Sequence, residues 1–118
     1  MVYLDLLLVG FGNVGRRFAE LLPGPYAGAF RALGLRPVVT GIATARHGLA
    51  IDPRGLPLAR ALRLVRSGHG LDALHRADPL RNAMAFIRDV PAEVLVEISP
   101  LDPRQGQPAV RHTRFAAA

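Results

Sequence analysis

The chain of 118 residues contains no cysteine and no lysine. Without cysteine there are no disulfides, no thiolate nucleophile and no cysteine-ligated metal. The missing lysine excludes further chemistry: no Schiff base, no lysine general acid and no phosphate-loop lysine can come from these residues. Long apolar runs are missing too. None approaches the ~20 residues that a membrane-spanning helix needs, so no membrane partner is expected. No basic segment precedes the first apolar stretch, and Asp5 interrupts it, so a secretory leader is not expected. The expectation is a cytoplasmic protein.

What is present is globular. Hydrophobic residues make up 50% of the chain, enough for one domain spanning residues 1–118 to bury a core. All 15 basic side chains are arginine, and the net charge is +6. Arginine stays protonated and suits fixed recognition of phosphate or carboxylate. A basic balance also suits nucleic acid. Here, however, the arginines are scattered, with Arg16-Arg17 the sole adjacent pair, so they read as solvated helix faces and no nucleic-acid partner is expected. The histidines His47, His69, His75 and His112 lie too far apart for a metal-ligand spacing, and no metal site is expected. Ser67, His69 and Asp72 sit together, but in a loop without the strand–turn–helix support of a nucleophile elbow.

The most informative stretch is Gly10-Phe11-Gly12-Asn13-Val14-Gly15, a G-x-G-x-x-G spacing. It follows an apolar run, Leu4 to Val9, and opens an expected helix from Asn13 to Leu22. In that setting the pattern is the fingerprint of a dinucleotide-binding turn. Gly10 makes the tight turn out of the strand. Gly12, lacking Cβ, lets a pyrophosphate approach the backbone, and Gly15 lets the helix pack closely on the strand. Free N–H groups at the helix start then face the anion.

The rest of the chain alternates in the same sense. Pro23-Gly24-Pro25 ends the first helix. Tyr26 to Leu33 reads as a second helix and Arg36 to Ala43 as a second strand, with Pro37 tolerated near its start. Thr44 to Ile51 reads as a loop, Asp52-Pro53-Arg54-Gly55 as a turn, and Leu56 to Val65 as a helix. Asp78-Pro79 reads as a helix start, with that helix running to about Ile87. Val94 to Ile98 is the third strand, and Pro108 onward reads as a final helix. The fold class expected is α/β, a Rossmann-like parallel sheet with flanking helices, incomplete at its C-terminal side. Asp5 is expected at a sheet edge, facing solvent.

In such sheets the third strand often lies on the far side of the first. That arrangement places Ser99 and Pro100 beside the glycine turn, as candidate cofactor contacts, with a Ser99 that simply caps a turn as the alternative. The end of the second strand, Ile42 to His47, offers Arg46 and no carboxylate. A carboxylate there would accept the ribose 2′-OH of NAD and repel a 2′-phosphate, whereas a guanidinium pairs with that phosphate. NADP is therefore the expected cofactor, with NAD the alternative; Thr44 is a candidate additional donor, and the alternative for Arg46 is a solvated loop side chain. The cofactor-binding set is Gly10, Phe11, Gly12, Asn13, Val14, Gly15, Arg46, Ser99 and Pro100.

These stretches, with Val38 to Ala43, Asp52-Pro53-Arg54-Gly55-Leu56, Val94 to Pro100 and Gly106-Gln107-Pro108-Ala109, resemble the N-terminal cofactor domain of homoserine dehydrogenase across nearly the whole chain. Ile98-Ser99 stands where the family usually has Ala-Thr, and Gln107 where it has Glu. The resemblance implies an NAD(P)-linked oxidoreductase that interconverts aspartate semialdehyde and homoserine, a step in amino-acid biosynthesis. It also implies a lysine for proton transfer and a substrate domain, neither of which these residues supply. The expectation is a truncated cofactor domain, with no catalytic residues and no turnover alone. The alternatives are a non-catalytic module that senses or sequesters a dinucleotide, and a basic interaction domain whose glycine turn is structural. An exposed sheet edge near Val94 to Ile98 suggests self-association.

Overall fold

The computed structural model describes residues 2–77 and 92–98, with residues 112, 114 and 116. The expected helix from Asp78, the Ser99–Pro103 loop and most of the expected last helix lie outside the described residues. Residues 112, 114 and 116 are helical.

The chain enters as β1 (Val2–Val9), turns through the glycines, and forms α1 (Asn13–Leu21) and α2 (Ala27–Ala32). It then runs through β2 (Leu35–Ala43), β3 (Leu49–Ile51), α3 (Leu58–Arg66) and a 3-10 turn at Asp72–Leu74, and reaches β4 (Val94–Glu97). The sheet order is β3-β2-β1-β4. β1 is parallel to both β2 and β4, and β3 is antiparallel to β2. This is a Rossmann-like α/β sheet, with β2, the strand that follows the first crossover, on one side of β1 and β4 on the other. The antiparallel β3 lies within the stretch read as a loop.

Side-chain alternation along β1 divides the core. Leu6 and Leu8 face a cluster built with Ala19, Leu22, Ile42, Ala61, Leu62 and Val65 from the helices and β2. Leu7 and Val9 point to the other face and meet Ala43 and Ile51. Period two in the strand and the 61/62/65 spacing in α3 supply these faces. Fully burying one such aliphatic side chain contributes roughly 1.5–3 kcal/mol. α3 stops in a glycine-terminated cap. Gly68 has φ of +81°, and the N–H groups of Gly68 and His69 donate to the carbonyls of Val65 (3.1 Å) and Leu64 (2.8 Å).

Asp5 corrects an expectation. It lies on β1, which has a strand on either side, and it is half-buried rather than facing solvent at an edge. Its N–H donates to the Glu93 carboxylate at 2.7 Å, and its carbonyl accepts from the Glu93 N–H at 3.1 Å. β2 holds an irregularity. Leu6 pairs with Val39 but Leu7 pairs with Gly41, so Thr40 is an extra residue, a bulge in a parallel pair. Thr40 is buried, and its hydroxyl donates to the Leu6 carbonyl at 3.4 Å.

Candidate functional site

The carboxyl ends of three parallel strands meet at the glycine turn. The Gly10 N–H donates to the Ala43 carbonyl at the end of β2 (2.7 Å), and the Ile98 N–H donates to the Val9 carbonyl (2.8 Å). Open α/β sheets bind ligands in such a crevice, outside the strand ends where the winding reverses.

The three glycines of the turn are there for three different reasons. Gly10 has φ of +109°, a conformation that L side chains rarely adopt. Gly15 is excluded from carrying a side chain by packing: a Cβ there would lie 2.9 Å from the Gly10 carbonyl oxygen and 2.9 Å from Cδ1 of Ile98. Gly12 answers to neither constraint. Its φ is −82°, and a Cβ built on it meets nothing within 4 Å. The fold does not require a glycine at position 12, and the space in front of it is open.

Gly12 is also the N-cap of α1. The first helical bond runs from the Arg16 N–H to the Gly12 carbonyl at 2.9 Å, so the N–H groups of Asn13, Val14 and Gly15 precede the helical ladder. No side chain caps this end, and no acidic residue occupies the first turn. The Asn13 side chain instead accepts from the Arg16 guanidinium at 2.9 Å, and Arg16 Nε donates to the Gly12 carbonyl at 3.2 Å. A positive helix end with an arginine folded over it, and no carboxylate nearby in the first turn, favours an anion. Arg16 was not singled out in the sequence as a site residue; its place after the third glycine is the signal that could have found it.

The remaining expected contacts separate. Phe11 is buried in the core cluster, so only its backbone is left to face a ligand. Val14 is exposed. Arg46 lies in the loop that joins β2 to β3, is exposed, and has no partner among the described residues. Thr44 is not a free donor: its hydroxyl donates to the Gly48 carbonyl (2.8 Å) and accepts from the His47 N–H (2.7 Å), which closes that loop. Ser99 and Pro100 lie outside the described residues, although Ile98 before them rests on Gly15. The Ser67 hydroxyl bonds to the Arg63 carbonyl at 2.7 Å, in keeping with a helix-end role. Among the described residues no helix is long and apolar enough to cross a membrane.

No family model matches the sequence. Two curated relatives do. The chain is 30% identical over 118 residues to an NAD(+)-dependent homoserine dehydrogenase of Pseudomonas canavaninivorans, covering 98% of this chain and 33% of that protein. It is 28% identical over 109 residues to homoserine dehydrogenase of Methanocaldococcus jannaschii, covering 92% of this chain and 32% of the relative. In structure it is similar to a hyperthermophilic archaeal homoserine dehydrogenase solved in complex with NADPH, with a TM-score of 0.72, 23% identity, and coverage of 98% and 33%. The chain thus spans about one third of the length of the homoserine dehydrogenases it resembles.

Proposed function

We propose that these 118 residues form a dinucleotide-binding domain of the homoserine dehydrogenase type, binding NADP or NAD across the glycine turn. The observation that carries this reading is Gly12: it is the one glycine of the three that neither backbone conformation nor packing explains. The cofactor would supply hydride chemistry. The chain would supply orientation. The backbone of Gly10, Phe11 and Gly12 and the N–H groups of Asn13, Val14 and Gly15 would hold the pyrophosphate, with Ser99 and Pro100 on its other side. Arg46 would face the ribose that lies over the end of β2, where a 2′-phosphate suits it better than a bare hydroxyl.

Interconversion of aspartate semialdehyde and homoserine is proposed for the oxidoreductase to which such a domain belongs, not for these residues alone. They span a third of the relatives' length and contain no lysine. We expect no homoserine-dependent reduction of NAD or NADP by the 118-residue chain. A cytoplasmic location and a role in biosynthesis follow from the same reading.

Gly12→Val tests the site. The added side chain meets open space, so the variant keeps its fold, while its methyls occupy the ground the pyrophosphate needs. Calorimetric titration with NADP and with NAD should show binding by the native chain and little by the variant, with matching circular dichroism. Equal binding by both proteins would remove the glycine turn from the site.

A further inference from the structure

Glu97 and His112 form a buried ionisable pair that the glycine turn does not use. Their side chains are 6% and 10% exposed, and a Glu97 carboxylate oxygen meets Nδ1 of His112. Burying such groups costs free energy even when they are paired, and an apolar pair of similar volume often holds a fold as well or better. A contribution to stability alone therefore does not account for the pair.

Its position suggests another role. Glu97 is the last residue of β4 and the register partner of Val9, the residue that leads into Gly10. The next residue, Ile98, is bonded through its N–H to the Val9 carbonyl, and its side chain sits where Gly15 has no Cβ. The pair thus fastens the helical segment at residue 112 to the strand end that rests on both the turn and α1. The sheet order β3-β2-β1-β4 puts the reversal of winding between β2 and β4, on either side of β1. A dinucleotide across that point lays its adenosine half toward β2 and its nicotinamide half toward β4.

We propose that Glu97 and His112 are a positioning pair for the nicotinamide half of the dinucleotide, holding the end of β4 at the height that half requires. The inference rests on the dinucleotide reading above. It predicts an effect confined to one end of the ligand, which a general loss of stability does not give.

The test uses two probes: NADP, and adenosine 2′,5′-bisphosphate, which carries the adenosine half alone. Both are titrated into the native chain, Glu97→Gln, His112→Ala and the double variant. Glu97→Gln keeps the volume and a hydrogen-bonding oxygen. The ratio of the two affinities cancels any loss of folded protein. The native chain should bind both probes. Each variant should bind NADP about tenfold more weakly and the bisphosphate nearly unchanged, a shift of about 1.4 kcal/mol in one affinity and not the other. The double variant should be no worse than His112→Ala, because the two residues act as a unit. An unchanged ratio, whether both affinities fall together or neither does, overturns the proposal. A native chain that binds neither probe overturns the dinucleotide reading and this inference with it. A native chain that binds both, with variants that do the same, overturns this inference alone.

Discussion

At the scale of single residues, the glycines of the turn separate what the fold requires from what it does not. Gly15→Ala should destabilise the chain by about 1–3 kcal/mol in urea unfolding, because its methyl meets the Gly10 carbonyl and the Ile98 side chain and one of them must move. Gly12→Ala should stay within about 1 kcal/mol of the native chain, the size of a weakened N-cap. Reversed values would mean that the two positions have been assigned the wrong roles. Arg46→Ala should leave stability unchanged and cost roughly 1.5–3 kcal/mol in NADP affinity while sparing NAD, as for a hydrogen bond to a charged group. If NAD binds the native chain as tightly as NADP does, Arg46 does not read the 2′-phosphate. The roles of Gly10 and Gly15 were legible in the sequence because spacing fixes them. The Glu97–His112 pair was not: a contact between residues far apart in sequence leaves no local pattern, and His112 alone looks like any surface histidine.

At the scale of elements, the strand–turn–helix opening was legible because each boundary carries its own chemical mark. Positive-φ Gly10 closes β1, and Pro23-Gly24-Pro25 closes α1. β3 carried no such mark. Leu49-Ala50-Ile51 is too short for a period to show, and its strand character comes from pairing with Gly41 to Ala43 across the loop. That loop turns at Gly48, whose φ is +74° and whose Cβ would lie 2.4 Å from Asp72 Oδ1, so Gly48→Ala should lower the melting temperature. A hydrogen bond from Arg17, and then the charge of Arg66, hold the Glu20 carboxyl below its usual 4.5. Its ion pair with Arg66 ties α1 to α3, and within α1 it lies 2.8 Å from Arg17. The sign follows from a lowered native value: the contribution is present above about pH 4.5 and lost as pH falls through the native pKa. Native and Glu20→Gln chains should therefore differ in stability at neutral pH and converge in acid. The difference will be small, since the group is exposed.

At the scale of the whole molecule, a net charge of +6 draws any polyanion, so dinucleotide affinity should fall with added salt whichever residues make contact. That slope alone does not identify the site; a change in slope on removing Arg46 would. Among the described residues β4 has β1 on one side and no strand on the other. An uncovered edge invites pairing with another chain, so sedimentation should show association that grows with concentration. A single monomeric species throughout would mean that the edge is covered. The sheet as a whole also depends on a count. Val39 and Ile42 stand three apart yet face the same core, and they do so because Thr40 is one residue too many. Deleting Thr40 would remove the bulge: Val39 and Gly41 would become neighbours opposite Leu6 and Leu7, and Ile42 and Ala43 would keep their partners and faces. A second deletion in β2, with no bulge left to absorb it, would draw Gly41 to Ala43 one step back, about 3.3 Å, and Ile42 and Ala43 would exchange faces. The Ala43 carbonyl would then no longer reach Gly10. β2 is in this sense a metered length of chain, and the crevice is placed by its number of residues as much as by their kinds.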